Sequence, residues 1–418
     1  MIKALRGMKD IIDNGNLYRD IIKICEETAQ NFGYKFVEIP KLEETSLFIR
    51  SVGESSDIVN KEMYEFKDKS DNSICLRPEG TAGVVRAFIE HKYDKAGGVR
   101  KYFYHGSMFR YERPQKGRFR EFHQFGIECF GENSVYEDAS VIIIGAEILK
   151  RLNIKTTLKI NSLGDKNCMP IYKEKLVEFL NSQTLCDDCQ RRIKTNPIRV
   201  LDCKNESCQK ALQNTPLIIE NLNDECKSDF EKLKEILTKN NIEFEVDPKL
   251  VRGLDYYTKT AFEFVSDELG SQSAVLGGGR YDNLVEYLGG KPTFGVGFAL
   301  GIERVMEILS IRNKEEKRDG IYLCALDDKF IDEIYSLGLD LRKKYKVEVS
   351  YEAKNPAKHL KSADNLNKLI FLCIGDNEFK NNEIWYKNLE NGDDQKIKLT
   401  NLEGKYQSFE QKQETRRD

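Results

Sequence analysis

The segment that most constrains the fold runs from Lys101 to Gly131 and reads "KYFYHGSMFRYERPQKGRFREFHQFGIECFG". Two strand-like halves flank a turn near Pro114 and Gly117, which predicts an antiparallel hairpin of two long strands. Side chains alternate along a strand, so the even-numbered polar residues share one face: Arg110, Glu112, Gln124 and Glu128. The opposite face carries residues that can pack: Phe109, Tyr111, Phe125, Ile127 and Cys129.

The turn of this hairpin is dense in positive charge. The cations around it are Arg113, Lys116, Arg118 and Arg120. Such a cluster suits a polyanion, either a triphosphate or the end of a nucleic acid. The alternative is a solvated tip whose charges face water, and sheet periodicity alone leaves both interpretations open.

A second unusual stretch, "RGLDYYTKTAFEF", begins at Arg252. An arginine, an aspartate and two adjacent tyrosines precede a segment that alternates like a strand with one buried face, from Thr258 to Phe264. A fixed cation beside two phenolic hydroxyls at a strand entrance is typical of a ligand site. The alternative is a tyrosine-rich strand start whose hydroxyls reach water.

Length and composition indicate an ordinary globular protein of several domains. The 418 residues are 40% hydrophobic, enough apolar material for two or three cores. The formal charge of −3 excludes no partner class, because nucleic acid needs only a local basic surface. No apolar run reaches the length of a signal peptide or a membrane span, so we expect a cytoplasmic protein without membrane contact. The 11 cysteines are expected to be reduced thiols.

Changes in secondary-structure pattern and in charge along the chain predict its domains. Helical and strand patterns occupy residues 1–318, interrupted at about 162–241 by a charged, mainly helical insertion. The polar run "RNKEEKRDG" reads as a linker. Residues 320–405 alternate strand and helix in a βαβαβ order typical of a small α/β domain. Residues 406–418 are expected to form a frayed tail.

Two common nucleotide-binding motifs are missing from the sequence. There is no G-x-x-x-x-G-K-[ST], and "GVGFALG" spaces its third glycine one residue too late for G-x-G-x-x-G. Any ATP site must therefore rely on side-chain cations.

Several motifs resemble those of one known family. The hairpin block "MFRYERPQKGRFREFHQFGIECFG" resembles motif 2 of class II aminoacyl-tRNA synthetases in its histidyl-tRNA synthetase form. "NFGYKFVEIPKLE", with Pro40, resembles the dimer-forming motif 1, and "PTFGVGFALGIERV", with Arg304, resembles motif 3. "VRGLDYYTKTAFEF" and "SAVLGGGRYDNLVEYLGG" resemble the two histidine-specific signatures. The blocks follow the family order over nearly the whole chain.

The resemblance implies a fold and a histidine site. The fold would be an α+β catalytic domain on an antiparallel sheet with a helical insertion, followed by a small α/β anticodon-binding domain. Tyr257 and Glu128 match the residues that hold the imidazole of histidine. Three others match those that bind its α-amino group: Glu79, Thr81 and Gln124. Tyr256 and Tyr281 match further pocket residues.

The resemblance also implies the ATP site and the catalytic groups. Arg252 matches the arginine beside the histidine carboxylate and the α-phosphate, where a fixed guanidinium stabilises the transition state. Arg110 matches the motif 2 arginine on the α-phosphate. Arg118 and Arg304 match those on the γ-phosphate, and Glu112 matches the adenine contact. Mg²⁺ is expected to bridge phosphates.

A homodimeric histidine–tRNA ligase is the function that the resemblance implies. It would activate L-histidine with ATP and transfer the histidyl group to the 3′ end of tRNA(His). One alternative is a non-catalytic paralogue that regulates histidine biosynthesis; such paralogues typically lack the C-terminal domain and degrade the "RGLDYY" block. A second alternative is a tRNA-binding protein without activation chemistry, which would have no need for Arg110, Arg252 and Arg304 together.

Plainer interpretations apply to some of these residues in isolation. Arg304 near the start of an amphipathic helix would more often be a surface charge. Gly277, Gly278 and Gly279 would suit a tight turn. His105 and His123 have no adjacent Ser or Cys pattern, so a catalytic triad is not expected.

Four cysteines in the insertion depart from the family pattern. Cys186-x₂-Cys189 is followed by Cys203-x₄-Cys208, and four thiolates can close a tetrahedral zinc site. Zinc is not a general cofactor of the family, and the second pair is more widely spaced than in common zinc ribbons. Free thiols are the alternative.

Overall fold

A computed structural model describes residues 2–53, 56, 58–114, 117–203, 205–272, 274–312 and 318–401. The chain divides into two compact units, Met1–Arg312 and Asn313–Asp418. Among the described residues, no helix combines the length and the apolar character needed to cross a membrane.

A large sheet forms the base of the first unit. Eight strands lie in the order β1-β5-β6-β11-β10-β9-β7-β8; all neighbours pair antiparallel except the two outermost pairs, which are parallel. A separate small sheet has the order β2-β4-β3. The strands are β1 Lys35–Phe36, β2 Leu42–Glu44, β3 Tyr64–Lys67, β4 Ser73–Leu76, β5 Arg100–Phe109, β6 Glu121–Phe130, β7 Thr157–Ser162, β8 Glu245–Val246, β9 Thr258–Val265, β10 Ala274–Arg280 and β11 Gly295–Gly301.

Four helices cover one face of the large sheet, and the opposite face carries α3 and α10 beside a cleft. The main core lies between the sheet and α1, α5, α9 and α11, where buried Ile, Leu, Val and Phe side chains pack. The helices are α1 Gly15–Asn31, α2 Thr45–Val52, α3 Thr81–Glu90, α4 Tyr93–Ala96, α5 Val135–Arg151, α6 Cys168–Asn181, α7 Asp187–Thr195, α8 Glu206–Ala211, α9 Asp224–Lys239, α10 Leu284–Tyr287 and α11 Ile302–Arg312. Shorter helical turns are Ile58–Glu62, Pro197–Val200, Ile218–Asn221 and Asp267–Gln272.

The predicted hairpin is formed by β5 and β6, which pair antiparallel from Arg100↔Phe130 to Phe109↔Glu121. Successive side chains of a strand point to opposite faces, so Gln124 and Glu128, an even number of residues apart on β6, share a face, as predicted. Arg110 and Glu112 follow the end of β5, so a loop and not the strand period determines their position. The prediction for Tyr111 is wrong. Its side chain is 52% exposed, because the strand ends before it.

The insertion between β7 and β8 contains α6 to α9, and α6 to α8 have their own small core. Tyr172, Leu176 and Leu180 of α6 are buried there together with three cysteine side chains. The last helix, α9, packs in the main core instead, so the separate subdomain consists of α6 to α8.

The second unit contains a five-stranded sheet of order β13-β12-β14-β15-β16. Its first three strands are parallel and alternate with helices, which confirms the βαβαβ prediction. An antiparallel hairpin, β15–β16, extends the sheet and was not predicted. The elements are β12 Ile321–Ala325, α12 Ile331–Arg342, β13 Val347–Val349, α13 Pro356–Asn365, β14 Ile370–Ile374, α14 Asp376–Lys380, β15 Glu383–Asn388 and β16 Asp394–Lys398, with short turns at Asp328–Phe330 and Leu399–Asn401. The expected tail at 406–418 and most of the expected linker lie outside the described residues.

Candidate active site

A cleft of about 610 Å³ lies over the face of the large sheet opposite the main core. Its walls come from the loop before α3, the hairpin, the segment around Arg252, β9, β10 and the start of α11. Ten of the twelve predicted site residues line it: Glu79, Thr81, Arg110, Glu112, Arg118, Gln124, Arg252, Tyr256, Tyr257 and Arg304. Glu128 and Tyr281 lie behind this lining.

One end of the cleft is built on the beginning of α3. The Glu79 carboxylate accepts the backbone N–H of Thr81 at 2.7 Å and of Ala82 at 2.8 Å, and so satisfies the first free donors of the helix. Only 3% of Glu79 is exposed. Burial raises the pKa of this carboxyl, although the two backbone hydrogen bonds oppose the shift.

Glu128 is the buried acid of the site. Its Oε1 accepts from Thr81 Oγ1 at 2.6 Å and from the Tyr104 hydroxyl at 3.3 Å, and its Oε2 accepts from the Tyr281 hydroxyl. Burial raises the pKa of Glu128 to about 8, and the hydrogen bonds from Thr81 and Tyr281 limit the shift. Burial thus favours the protonated form of this side chain more strongly than water does.

Three tyrosines pack together beside these acids. The rings of Tyr256 and Tyr257 lie 4.7 Å apart, and Tyr281 meets Tyr256 edge-on at 5.7 Å. Tyr256 and Tyr281 are 2% and 1% exposed. The interpretation of this stretch as a strand start whose hydroxyls reach water is wrong for Tyr256, which is buried, whereas Tyr257 is partly exposed and lines the cleft.

Arg252 is held in the cleft wall by Glu263 of β9. Its Nη1 donates to the Glu263 carboxylate, and its guanidinium lies 5.6 Å from the centre of the Tyr257 ring. Beneath it, Gly277 leaves the necessary space: a Cβ there would lie 2.5 Å from Arg252 Nη1. The tight-turn interpretation of the three glycines is wrong, because all three lie within β10.

The opposite end of the cleft gathers arginines around one glutamate. Arg118 Nη1 donates to Glu112 at 2.8 Å, and Arg110 Nη1 lies 4.0 Å from the same carboxylate. Burial, followed by the charge of Arg118, lowers the pKa of Arg304 to about 10. The surface-charge interpretation of Arg304 is therefore wrong. A concentration of partly buried cations of this kind favours an anionic ligand.

The hairpin tip is only partly a charged surface. Arg113 is exposed, and the guanidinium of Arg120 lies 3.6 Å from the centre of the Tyr111 ring. Lys116 lies outside the described residues. Of the three described cations at the tip, Arg118 is the one that lines the cleft.

Two buried polar atoms of the cleft have no hydrogen-bond partner among the described residues: Gln124 Oε1 and Arg252 Nε. Leaving such an atom unpaired costs about 1–3 kcal/mol. Both lie on side chains of the cleft wall, so a polar ligand in the cleft is the natural partner for each.

Two residues of the site escaped the sequence reasoning. Tyr104 is 1% exposed and donates a hydrogen bond to Glu128. It is even-numbered like Gln124, so the alternation of side chains along the hairpin already placed it on the polar face. Glu263 lies between the buried Phe262 and Phe264, so its side chain points to the opposite face of β9. A charged residue on the face away from the core could have identified Glu263 as a site residue.

The histidines of the hairpin serve packing and anchoring. His123 Nδ1 lies 2.7 Å from Glu303 Oε1, and its Nε2 lies 3.2 Å from Ser107 Oγ. The same carboxylate accepts the His123 backbone N–H at 2.9 Å, which ties β6 to α11. Ser107 is 7% exposed, so its hydroxyl is poorly placed to attack a substrate.

Two family models together match most of the chain. The model described as histidyl-tRNA synthetase matches residues 15–169 and 173–305, and the one described as anticodon binding domain matches residues 311–408. The chain belongs to the histidyl-tRNA synthetase family. The fold-class prediction is confirmed, and the chain is an enzyme of the aminoacyl-tRNA ligase type.

Known members of the histidyl-tRNA synthetase family resemble the chain over almost its full length. The histidine–tRNA ligase of Campylobacter hominis is 70% identical over 405 residues, which are 96% of this chain and 99% of that protein. The histidine–tRNA ligase of Campylobacter fetus is 67% identical, with coverage of 97% and 100%. The apo structure of Staphylococcus aureus histidyl-tRNA synthetase superimposes with a TM-score of 0.78 at 35% identity, covering 96% and 98% of the two chains. These comparisons support the ligase and not the regulatory paralogue.

Proposed function

We propose that the cleft carries out both steps of histidine–tRNA ligation. In the first, a carboxylate oxygen of L-histidine attacks the α-phosphorus of ATP, and pyrophosphate leaves. In the second, a ribose hydroxyl at the 3′ end of tRNA(His) attacks the acyl carbon of histidyl-adenylate, and AMP leaves. No side chain acts as a nucleophile, so the protein contributes positioning and charge stabilisation.

Histidine occupies the end of the cleft beside α3 and the tyrosines. Its imidazole contacts Tyr257 and Glu128, and its α-amino group contacts Glu79, Thr81 and Gln124. Tyr256 and Tyr281 enclose the ring. The unpaired Oε1 of Gln124 supports this assignment, because an ammonium group would satisfy it. Glu128 is bonded to Thr81 and Tyr281, so at least one of these bonds must open for the imidazole to reach it.

ATP occupies the end of the cleft that is rich in arginines. Arg110 contacts the α-phosphate, Arg118 and Arg304 contact the γ-phosphate, and Glu112 contacts adenine. The lowered pKa of Arg304 supports this assignment, because phosphate charge would relieve the repulsion from Arg118. Glu112 now binds Arg118 and would exchange this partner for the nucleotide.

Arg252 is the catalytic cation between these two ligands. Its pair with Glu263 and its position over Gly277 fix the guanidinium before substrates bind. A fixed cation at the point where negative charge develops stabilises the transition state more than the ground state. Arg110 supplies a second cation at the same phosphate.

Mg²⁺ fits the same end of the cleft. Glu112 and Glu263 line it and bring hard carboxylate oxygens close to the arginines. Bound there, the ion would neutralise phosphate charge. Glu263 is the residue that would hold it, since Glu112 is assigned to adenine.

The rest of the chain serves tRNA and assembly. The domains of this activity are 1–318, with 162–241 inserted, and 320–405, followed by the tail 406–418. The motif 2 loop meets the acceptor end, and the second unit, matched by the anticodon-binding family, reads the anticodon. The enzyme acts in the cytoplasm as a homodimer, and Phe36 and Leu42 of the motif 1 segment are exposed apolar side chains that a second copy would cover.

One observation carries the proposal: residues from separate segments of the sequence converge on one cleft. The test is exchange of labelled pyrophosphate into ATP, with Mg²⁺, without tRNA, and with each standard amino acid in turn. We expect exchange with histidine alone. Exchange with another amino acid, or with none in folded protein, would contradict the assignment.

A further inference from the structure

Four cysteine sulfurs converge within the helical insertion, and none of the four cysteines lines the cleft described above. The Sγ atoms of Cys186, Cys189, Cys203 and Cys208 all lie within 4.8 Å of one another. Cys186 Sγ and Cys203 Sγ are 4.0 Å apart. A disulfide requires about 2.05 Å, whereas the sulfurs of a tetrahedral zinc site with Zn–S bonds of about 2.3 Å stand roughly 3.8 Å apart. The spacing therefore corresponds to a metal site and not to disulfides.

The local fold explains how residues so far apart in sequence meet. Cys186 precedes α7, and Cys189 lies in the first turn of that helix. Cys203 follows the turn Pro197–Val200, and Cys208 lies in α8, which Asn205 caps through the Ser207 backbone N–H. The backbone N–H of Cys186 lies 3.3 Å from Cys208 Sγ and donates to it, so the two halves of the cluster are already joined.

The cluster occupies the centre of the small core of the insertion. Cys189 and Cys208 are 0% exposed, Cys203 is 7% exposed, and Cys186 is half-buried at the edge. A subdomain of this size buries little apolar surface, and a bound metal is a common source of stability in such cases. Four protein thiolates leave no open position, which is the arrangement of structural zinc sites.

A second group of potential ligands provides a contrast. Asp165, Cys168 and Cys226 also approach within 4.8 Å. The Asp165 carboxylate, however, already accepts the backbone N–H of Cys168 at 2.9 Å and a hydrogen bond from Asn223 at 3.1 Å. This group offers only three ligands, with its carboxylate occupied, so we assign no metal to it.

We propose that Cys186, Cys189, Cys203 and Cys208 bind one Zn²⁺. The ion would fix the insertion against the loop of residues 253–255, which follows Arg252. The chain between Cys189 and Cys203 contacts that loop directly: Asn196 Nδ2 donates to Asp255 at 2.7 Å, and Arg199 Nη2 donates to the Gly253 carbonyl at 3.1 Å. The metal anchors both ends of this contacting segment. It takes no part in the reaction and positions the residues that follow Arg252.

The test is the metal content of the full chain, purified under reducing conditions without chelator and measured by elemental mass spectrometry. We expect one zinc per chain. Cys203→Ser and Cys186→Ser should lose it, and Cys186→Ser, which changes the least buried ligand, is the variant that best preserves folding. Cys226→Ser, a buried cysteine of the second group, is the matched control and should keep its zinc.

Cobalt substitution tests the ligand set without any mutation. Wild-type protein stripped of metal and reloaded with Co²⁺ should show thiolate charge-transfer absorption and the intense visible bands of a tetrahedral ion. The proposal fails if reduced wild-type protein neither retains nor takes up zinc. It also fails if Cys203→Ser keeps the metal, or if Cys226→Ser loses it.

Discussion

The guanidinium of Arg252 lies directly over Gly277, so close that a Cβ at residue 277 would stand 2.5 Å from Nη1 and 2.6 Å from Nη2. Real side chains do not approach so closely, and Arg252 would have to move. The glycine is thus a positioning residue for the cation that we place at the reacting centre. Gly297 has the same relationship to Glu128, with its Cβ position 2.1 Å from Oε2.

Gly277→Ala tests this relationship by displacing Arg252 without removing it. A misplacement of about 1 Å can cost roughly 100-fold in rate. We expect kcat for pyrophosphate exchange to fall by about that factor, with a much smaller change in KM for ATP. Gly15→Ala, where a Cβ meets nothing within 4 Å, is the matched control and should leave kcat unchanged. Normal kcat in Gly277→Ala would mean that the position of Arg252 is not limiting.

The buried Glu128 predicts a specific dependence of stability on pH. Its pKa is raised from 4.5 to about 8, so between these values the folded state binds more protons than the unfolded state. The free energy of unfolding should therefore fall as pH rises through this window, by at most about 1.4 kcal/mol per pH unit from this group. Glu128→Gln removes the contribution. Thermal unfolding at pH 6 and pH 8 should show a smaller loss of Tm in the variant; an equal loss would contradict the raised pKa.

Arg304 offers a test of the ATP end of the cleft. Arg304→Met removes one charge-assisted contact, worth about 1.5–3 kcal/mol, so KM for ATP should rise roughly tenfold or more. The KM for histidine should change little. Folding should be preserved, since the variant also removes a buried charge beside Arg118. Arg113→Met, at an exposed position on the hairpin tip, controls for the loss of positive charge and should leave both KM values unchanged.

How far the sequence predicts this structure depends on whether a feature is local. The hairpin and the strand–helix–strand order of the second unit follow from periodicity, and the structure contains both. Periodicity alone misplaced Tyr111 and favoured a surface position for Arg304, which only the family resemblance assigned to the site. The alternation of side chains between two faces stops at Phe109, where β5 ends, so it does not apply to Tyr111. The spacing of apolar residues in α11 shows which side of the helix is buried, but it does not show that the first turn faces a cleft.

The glycines of β10 are a second case in which local sequence preference does not predict the structure. Three successive glycines suit a turn by local preference, yet here they form strand interior because Arg252, Tyr257 and neighbouring backbone approach from elsewhere in the chain. Contacts of this kind depend on tertiary packing. The β15–β16 hairpin was missed for a different reason, since its strands are half polar and pair at the edge of the sheet.

The most direct test of the central claim is single-turnover formation of histidyl-adenylate by Arg252→Ala, alongside calorimetric binding of histidine. Loss of one preorganised donor to a transition state costs about 100- to 1,000-fold. Because Arg252→Ala leaves Glu263 without its partner, the double variant with Glu263→Gln should be measured beside it. We predict that both variants bind histidine and form adenylate at least about 100-fold more slowly than wild type. Formation at the wild-type rate would contradict the role of Arg252 and, with it, the mechanism proposed for the cleft.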